Sequence, residues 1–322
     1  MIETSLQGAA PAVDDERVFV CGLGETLYAL SRADGSVVWS ETRDGALSDS
    51  SACHHDGQVF VGSGGGSVHA FDAADGTERW THSGKSAVTS SPVVHDGIVY
   101  VGRNDGELLA LDVEDGSVVW KKNLGGPIYS ELEYSTVEDA VYVSTKGGTV
   151  HARDATGGRE RWSQSFGTEV GSSSPVVDDD RELIYFAASE VLALAASDGH
   201  TRWGTSFYGA CAGSSPVFDD GTVYVGGGDG TVYAIQHSDG LLVDSPDWAF
   251  QTWDVSIVAD PALAGNRLAV ASLDGTLYLL DTDSGSELDS VSLGRETRSS
   301  PVIVDDEVYI GGQDGTVFAY SW

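Results

Sequence analysis

Ala70-Phe71-Asp72-Ala73-Ala74-Asp75-Gly76-Thr77-Glu78-Arg79-Trp80 reads as the end of one strand, an Asp-Gly turn, and a second strand closing on a tryptophan. Asp-Gly supplies the positive φ angles of a tight hairpin turn, so it joins antiparallel neighbours. The same alanine-to-tryptophan spacing returns at Ala29/Trp39, Ala110/Trp120, Ala152/Trp162 and Ala193/Trp203. Asp75-Gly76 is answered there by Asp34-Gly35, Asp115-Gly116, Gly157-Gly158 and Asp198-Gly199. A cluster of two aspartates and a tryptophan looks at first like a site. Its return at a fixed spacing makes it scaffold, a joint between repeated units.

Extended along the chain, the alanine falls at Ala29, Ala70, Ala110, Ala152, Ala193, Ala234, Leu279 (substituted) and Ala319. A second landmark precedes each one, at Pro11, Ala52, Pro92, Glu133, Pro175, Pro216, Pro261 and Pro301. Eight units of ~41 residues fill residues 1–322 as one domain. Within a unit the period is two. Residues 92–120 read PVVHDG, IVYVGRNDG, ELLALDVEDG and SVVW, short β-rich runs cut by Asp-Gly. Four such strands per unit predict an all-β chain, an eight-bladed β-propeller of four-stranded antiparallel blades.

Two units depart from the pattern. In the sixth the tryptophan arrives late, at Trp248, after an insertion in Leu241–Trp248; in the seventh Asp289 takes its slot. The last unit stops at Trp322 after its third strand, so blade eight is expected to be incomplete, or the N-terminus trimmed.

Composition narrows the function classes. Seventeen Lys and Arg face 50 Asp and Glu, a net charge of −33, which disfavours nucleic acid and anionic membranes. The acids are spread over a regular apolar pattern rather than gathered in a tail. With only four lysines, that balance points to a protein adapted to high salt, from a halophilic, archaeon-like source. Cys21, Cys53 and Cys211 lie far apart and are expected to be small core fillers. No window reaches the ~20 apolar residues of a membrane span. The start MIETSLQGAAPAV has no signal-peptide pattern. A cytoplasmic, monomeric protein is expected, exported or at the cell surface if a leader has been removed.

The pattern A-x-D-x-x-D/T-G-x-x-x-W is carried in full by Ala70-Phe71-Asp72, Asp75-Gly76 and Trp80, and by Ala110-Leu111-Asp112, Asp115-Gly116 and Trp120. It resembles the tryptophan-docking motif of quinoprotein-type (PQQ-like) β-propellers, and the resemblance covers essentially the whole chain. That superfamily includes alcohol dehydrogenases holding pyrroloquinoline quinone and calcium. It also includes non-enzymatic BamB-like assembly lipoproteins and sensor regions of kinases. Its enzymes carry adjacent cysteines forming a vicinal disulfide over the quinone; this chain has none. The resemblance therefore implies the BamB-like branch, with neither pyrroloquinoline quinone nor Ca2+ expected.

Other chemistry is sparse. Asp178-Asp179-Asp180 reads as a polar hairpin turn. Asp281-Thr282-Asp283-Ser284-Gly285 lacks the ligand spacing of a calcium loop. His54 and His55, adjacent on a strand, point to opposite faces. Gly62-Ser63-Gly64-Gly65-Gly66 precedes no helix and is a hairpin turn rather than a phosphate cradle. No catalytic or metal-ligating residue is assigned, and the chain is expected not to be an enzyme.

One surface stands out. Links from an outer strand to the next inner strand cross one face near the channel. They carry six of the 17 basic residues but only seven of the 50 acidic ones. They also carry aromatics outside the repeat. Lys85, Lys121, Tyr129, Phe207, Tyr208, Trp253, Arg295 and Arg298 form the candidate ligand or partner face. On the competing reading, the aromatics pack under their own loops and the basic groups only relieve repulsion. Serine pairs at Ser90-Ser91, Ser173-Ser174, Ser214-Ser215 and Ser299-Ser300 add small polar groups near the channel. The expected function is a non-catalytic binding or assembly scaffold for a protein, peptide or small ligand. The alternatives are a PQQ-dependent oxidoreductase-like protein and a sensor module of a signalling system.

Overall fold

Strands form wherever the period-two runs occur, and the Asp-Gly turns between them take the conformation they are chosen for. At Asp96-Gly97 both residues have positive φ (46° and 75°), the hairpin turn whose twist matches that of its flanking strands. The structure, a computed structural model, describes residues 9–22, 25–43, 45, 47, 50–167, 173–205, 214–236, 243, 245–253 and 256–322. These form 31 strands in eight antiparallel sheets, and no helix occurs among them. The eighth sheet has three strands, Val302–Val304, Glu307–Gly311 and Val317–Ser321, as the repeat predicts. The fold is an eight-bladed β-propeller.

Blade 3 stands for the rest. Its strands Val93–His95, Ile98–Gly102, Glu107–Asp112 and Val118–Asn123 follow one another from the channel outwards. The two middle strands are buried nearly throughout. The outer one exposes every residue except Trp120. A β-bulge beside the Ala110–Trp120 pair shifts the register by one residue and aims the indole at the next blade. The same shift follows Ala29, Ala70, Ala152 and Ala193.

The core is divided among the seams. Phe19 and Trp39 of blade 1 pack with Val59, Val61 and Phe71 of blade 2, and the pattern repeats around the ring. Ring closure rests on the smallest of these clusters, Val18, Val20 and Leu30 of blade 1 with Tyr309 of blade 8. Polar groups complete it: Arg32 Nε donates to the Tyr309 hydroxyl at 3.0 Å, and Ser299 Oγ to the carbonyl of Ala9 at 2.8 Å.

One landmark moves. Glu133 faces Tyr142 across the sheet as Val93 faces Tyr100, so the fourth unit's counterpart of Pro92 is Leu132, not Glu133. The turn after Ser135 is two residues longer than that after His95, which displaces the sequence spacing.

Candidate functional site

Each link runs from the outer strand of one blade to the inner strand of the next. The candidate residues are spread over links of several blades. Lys85 and Lys121 belong to blades 2 and 3 and Tyr129 to the next link, while Trp253, Arg295 and Arg298 lie on the links bordering blade 7. Phe207 and Tyr208 lie outside the described residues, as does Cys211. Lys85 and Arg298 are exposed. Lys121 is paired with Glu107 at 3.0 Å, and Arg295 stands 3.8 Å from Asp314. Tyr129 is half-buried beneath the ammonium of Lys146, 5.6 Å from its ring centre. Trp253 is 79% exposed.

For other link residues the structure favours packing. Phe166 lies against Phe186 with ring centres 5.5 Å apart. Arg43 spreads over Phe71 at 4.9 Å while pairing with Glu41 and Glu78. The Leu241–Trp248 insertion is largely outside the described residues; Trp248 itself resumes the repeat by pairing with Ala234.

The serine pairs are pins rather than an open polar lining. Ser90 Oγ accepts from Gly102 N at 2.8 Å within its own blade. Ser91 Oγ accepts from Ser51 N at 3.1 Å across to the previous one. Such blade-to-blade bonds continue from Glu131 N to Ser174 Oγ, from Ser174 N to Ser215 Oγ, and from Asp260 N to Ser300 Oγ, each 2.9 Å. Buried backbone donors at the narrow end of each blade are satisfied this way.

Two carboxylates occupy serine places in this ring, which motif reasoning passed over: Glu131 and Asp260. The Asp260 carboxylate accepts from Ser215 N. Burial pushes Asp260 up to about 7, with the charge of Glu131 adding to it. Burial likewise pushes Glu133, on the inner strand of blade 4, up to about 8, again with Glu131 adding. Burial holds the Cys53 thiol of blade 2 up to about 11, and Glu131 contributes there too. The Glu131 charge thus acts on residues of blades 2, 4 and 7, across the channel. Its signal in the sequence was an acidic residue in the serine place of the Ser-Pro run, at Glu131-Leu132 and Asp260-Pro261.

The remaining candidates resolve locally. His54 stacks on Phe19, ring centres 5.7 Å apart, while His55 lies 3.5 Å from Asp56 and is 40% exposed. Asp178-Asp179-Asp180 does more than turn the chain. Asp178 is buried and accepts from Tyr185 OH at 3.0 Å, and Asp179 crosses to blade 4, where it accepts from Thr136 N at 2.9 Å. Asp281–Gly285 is a joint turn whose Thr282 carbonyl receives the indole N–H of Trp248 at 2.8 Å. Cys21 and Cys53 are free thiols of different blades, and no three His, Cys, Asp or Glu side chains come together to hold a metal among the described residues.

Comparison with known proteins adds a family. Residues 8–321 match the family model described as the β-propeller of the beta-alanine-activating enzyme. The beta-alanine-activating enzyme of Danio rerio is 34% identical over 102 residues, 30% of this chain and 8% of that enzyme. The chain thus covers a small part of the length of this curated relative. Among solved structures, BamB from Moraxella catarrhalis superposes with a TM-score of 0.80 at 18% identity, covering 99% of this chain and 98% of its own. Quinohemoprotein alcohol dehydrogenase from Comamonas testosteroni gives 0.75 at 15%, covering 96% and 70%. At such identities the likeness speaks to the fold, an eight-bladed propeller. The expectation that the chain is not an enzyme is corrected: its family is the propeller of one, and a dehydrogenase shares the fold.

Proposed function

The chain belongs to the β-propeller family of the beta-alanine-activating enzyme, and on that premise we propose that it is the recognition module of an amino-acid-activating enzyme. Its link face holds the partner polypeptide of that enzyme. The observation that carries this is Trp253. Six other tryptophans sit in joints between blades and Trp322 packs against blade 7, whereas Trp253 stands 79% exposed on a link. A large amphipathic ring held out in water is what interface anchors are made from. Arg298 and Lys85 give the same face positive charge on a molecule of net charge −33. The acidic surface itself we assign to adaptation to concentrated salt.

The test is retention of activity. Chain immobilised in molar KCl is exposed to extract of its native host, washed, and assayed for activation of beta-alanine. Wild-type chain is expected to retain the activity and Trp253→Ala at least about fivefold less, the loss of one anchor worth more than about 1 kcal/mol. Equal retention by both, or none by the wild type, removes the proposal.

A further inference from the structure

Among the described residues, five joints make the same three contacts. Between blades 2 and 3, Trp80 lies against Phe60 with ring centres 5.8 Å apart. It covers Gly116 so closely that a Cβ there would overlap the indole, and its N–H donates to the carbonyl of Val113 at 2.9 Å. Trp39, Trp120, Trp162 and Trp248 repeat the set on the rings of Phe19, Tyr100, Tyr142 and Tyr224. They cover Gly76, Gly158, Gly199 and Gly285 and donate to the carbonyls of Ala73, Ala155, Ala196 and Thr282.

The seam between blades 8 and 1 has every receiving part of this joint. Tyr309 is the ring, Gly35 the glycine, and the carbonyl of Arg32, which follows Ser31 as Ala73 follows Asp72, is the acceptor. Ala319 holds the place that pairs with tryptophan elsewhere. Here a Cβ added at Gly35 meets nothing within 4 Å. The parts surround a cleft of about 290 Å3, lined by Val18, Leu30, Gly35, Val37, Tyr309 and Val317 among others. An apolar cavity of about 150 Å3 already takes up benzene, so this one has room for an indole. Beside it the strand Val317–Ser321 pairs on one side only, with Glu307–Gly311, among the described residues. An unpaired edge next to a ring-lined slot is the setting in which an extended peptide adds as a further strand.

All eight tryptophans of the chain are placed elsewhere: six in joints, Trp253 on the link face, and Trp322 against blade 7 beneath the guanidinium of Arg267. Residues 1–8, MIETSLQG, contain none. None of these eight indoles fills the slot. We propose that this seam docks a tryptophan-bearing β-strand of a partner. The strand pairs with Val317–Ser321 and sets its tryptophan opposite Ala319. The ring lies on Tyr309 over Gly35, and the N–H reaches the carbonyl of Arg32. The rim carries Asp15, Glu16, Asp305 and Glu307 against Arg17 and Arg32, so basic flanks on the incoming strand are favoured. This surface is separate from the link face, and neither proposal depends on the other.

The probe is a fluorescent peptide copied from the chain's own outer strand, Gly116–Asn123 (GSVVWKKN), with a control in which its tryptophan is alanine. Anisotropy in molar KCl is expected to show the tryptophan peptide bound at least tenfold more tightly. Gly35→Asn fills the slot with a residue that tolerates positive φ, and is expected to abolish binding while melting with the wild type. Tyr309→Ala is expected to weaken binding by removing the ring. Equal binding of the two peptides overturns the proposal, as does binding that Gly35→Asn leaves intact. So does binding that appears only after deletion of residues 1–8, which would make the seam internal to this chain.

Discussion

Glu133 and Asp260 keep their protons at a pH where surface carboxylates have lost theirs. Burial near the channel axis is the main cause, and the charge of Glu131 adds to it. A carboxyl whose value is higher in the folded state than in the unfolded chain binds more protons when folded between those two values. Stability from these groups is therefore fully present below the ordinary carboxylate range, near pH ~4. It is lost as pH rises through about 7 and about 8. Glu133→Gln and Asp260→Asn, which mimic the protonated forms, are expected to gain much less over the wild type at pH 5 than at pH 9. At pH 9 each should raise the melting temperature by about 1.5 °C, the equivalent of ~1 kcal/mol in a chain of this length. Melting curves at the two pH values check it; a gain at pH 5 equal to that at pH 9 would mean that neither group titrates in this range.

At the scale of the strand and its turn, the joint predicts unequal costs for one substitution at two glycines. Gly116 and Gly35 hold the same place in their turns, with φ of 68° and 70°. Asparagine tolerates that backbone at both. At Gly116 its Cβ overlaps the ring of Trp80, whereas at Gly35 it meets nothing. Gly116→Asn is expected to cost about 1–3 kcal/mol of overpacking and Gly35→Asn less than about 1 kcal/mol. Chemical denaturation of both variants measures the difference, and equal losses would show that backbone strain, not the indole, sets the cost. The pairing of Ala70 with Trp80 was legible in the sequence because spacing and turn chemistry are local. Glu133 was misplaced by one residue because a longer turn after Ser135 leaves no trace in composition. The seam was out of reach altogether. It depends on Arg32 meeting Tyr309, 277 residues away, which only ring closure decides.

Across the whole molecule the opposing terms are charge repulsion and ion pairing, and they respond to salt in opposite directions. Seventeen cations among 50 acids leave 33 negative charges uncompensated. Many stand at hairpin tips: the side chains of Asp56, Asp96 and Asp220 are 90%, 86% and 98% exposed. Salt also weakens ion pairs such as Arg32 with Asp305 and Arg267 with Asp306, but their carboxylates are 79% and 83% exposed. Exposed pairs contribute about 0–1 kcal/mol each. The Debye length falls from ~10 Å at 0.1 M to ~3 Å at 1 M, so repulsion between neighbouring blades is largely removed over that range. Relief of repulsion is thus the larger effect. The melting temperature is expected to climb steeply between 0.1 M and 1 M KCl and to level off beyond it. Screening saturates in this way; preferential exclusion of salt from apolar surface would instead continue to stabilise with concentration. Scanning calorimetry from 0.1 to 3 M KCl distinguishes the two. A melting temperature that is flat or falling below 1 M would mean that the ion pairs outweigh the repulsion, and with it the assignment of this surface to concentrated salt would go.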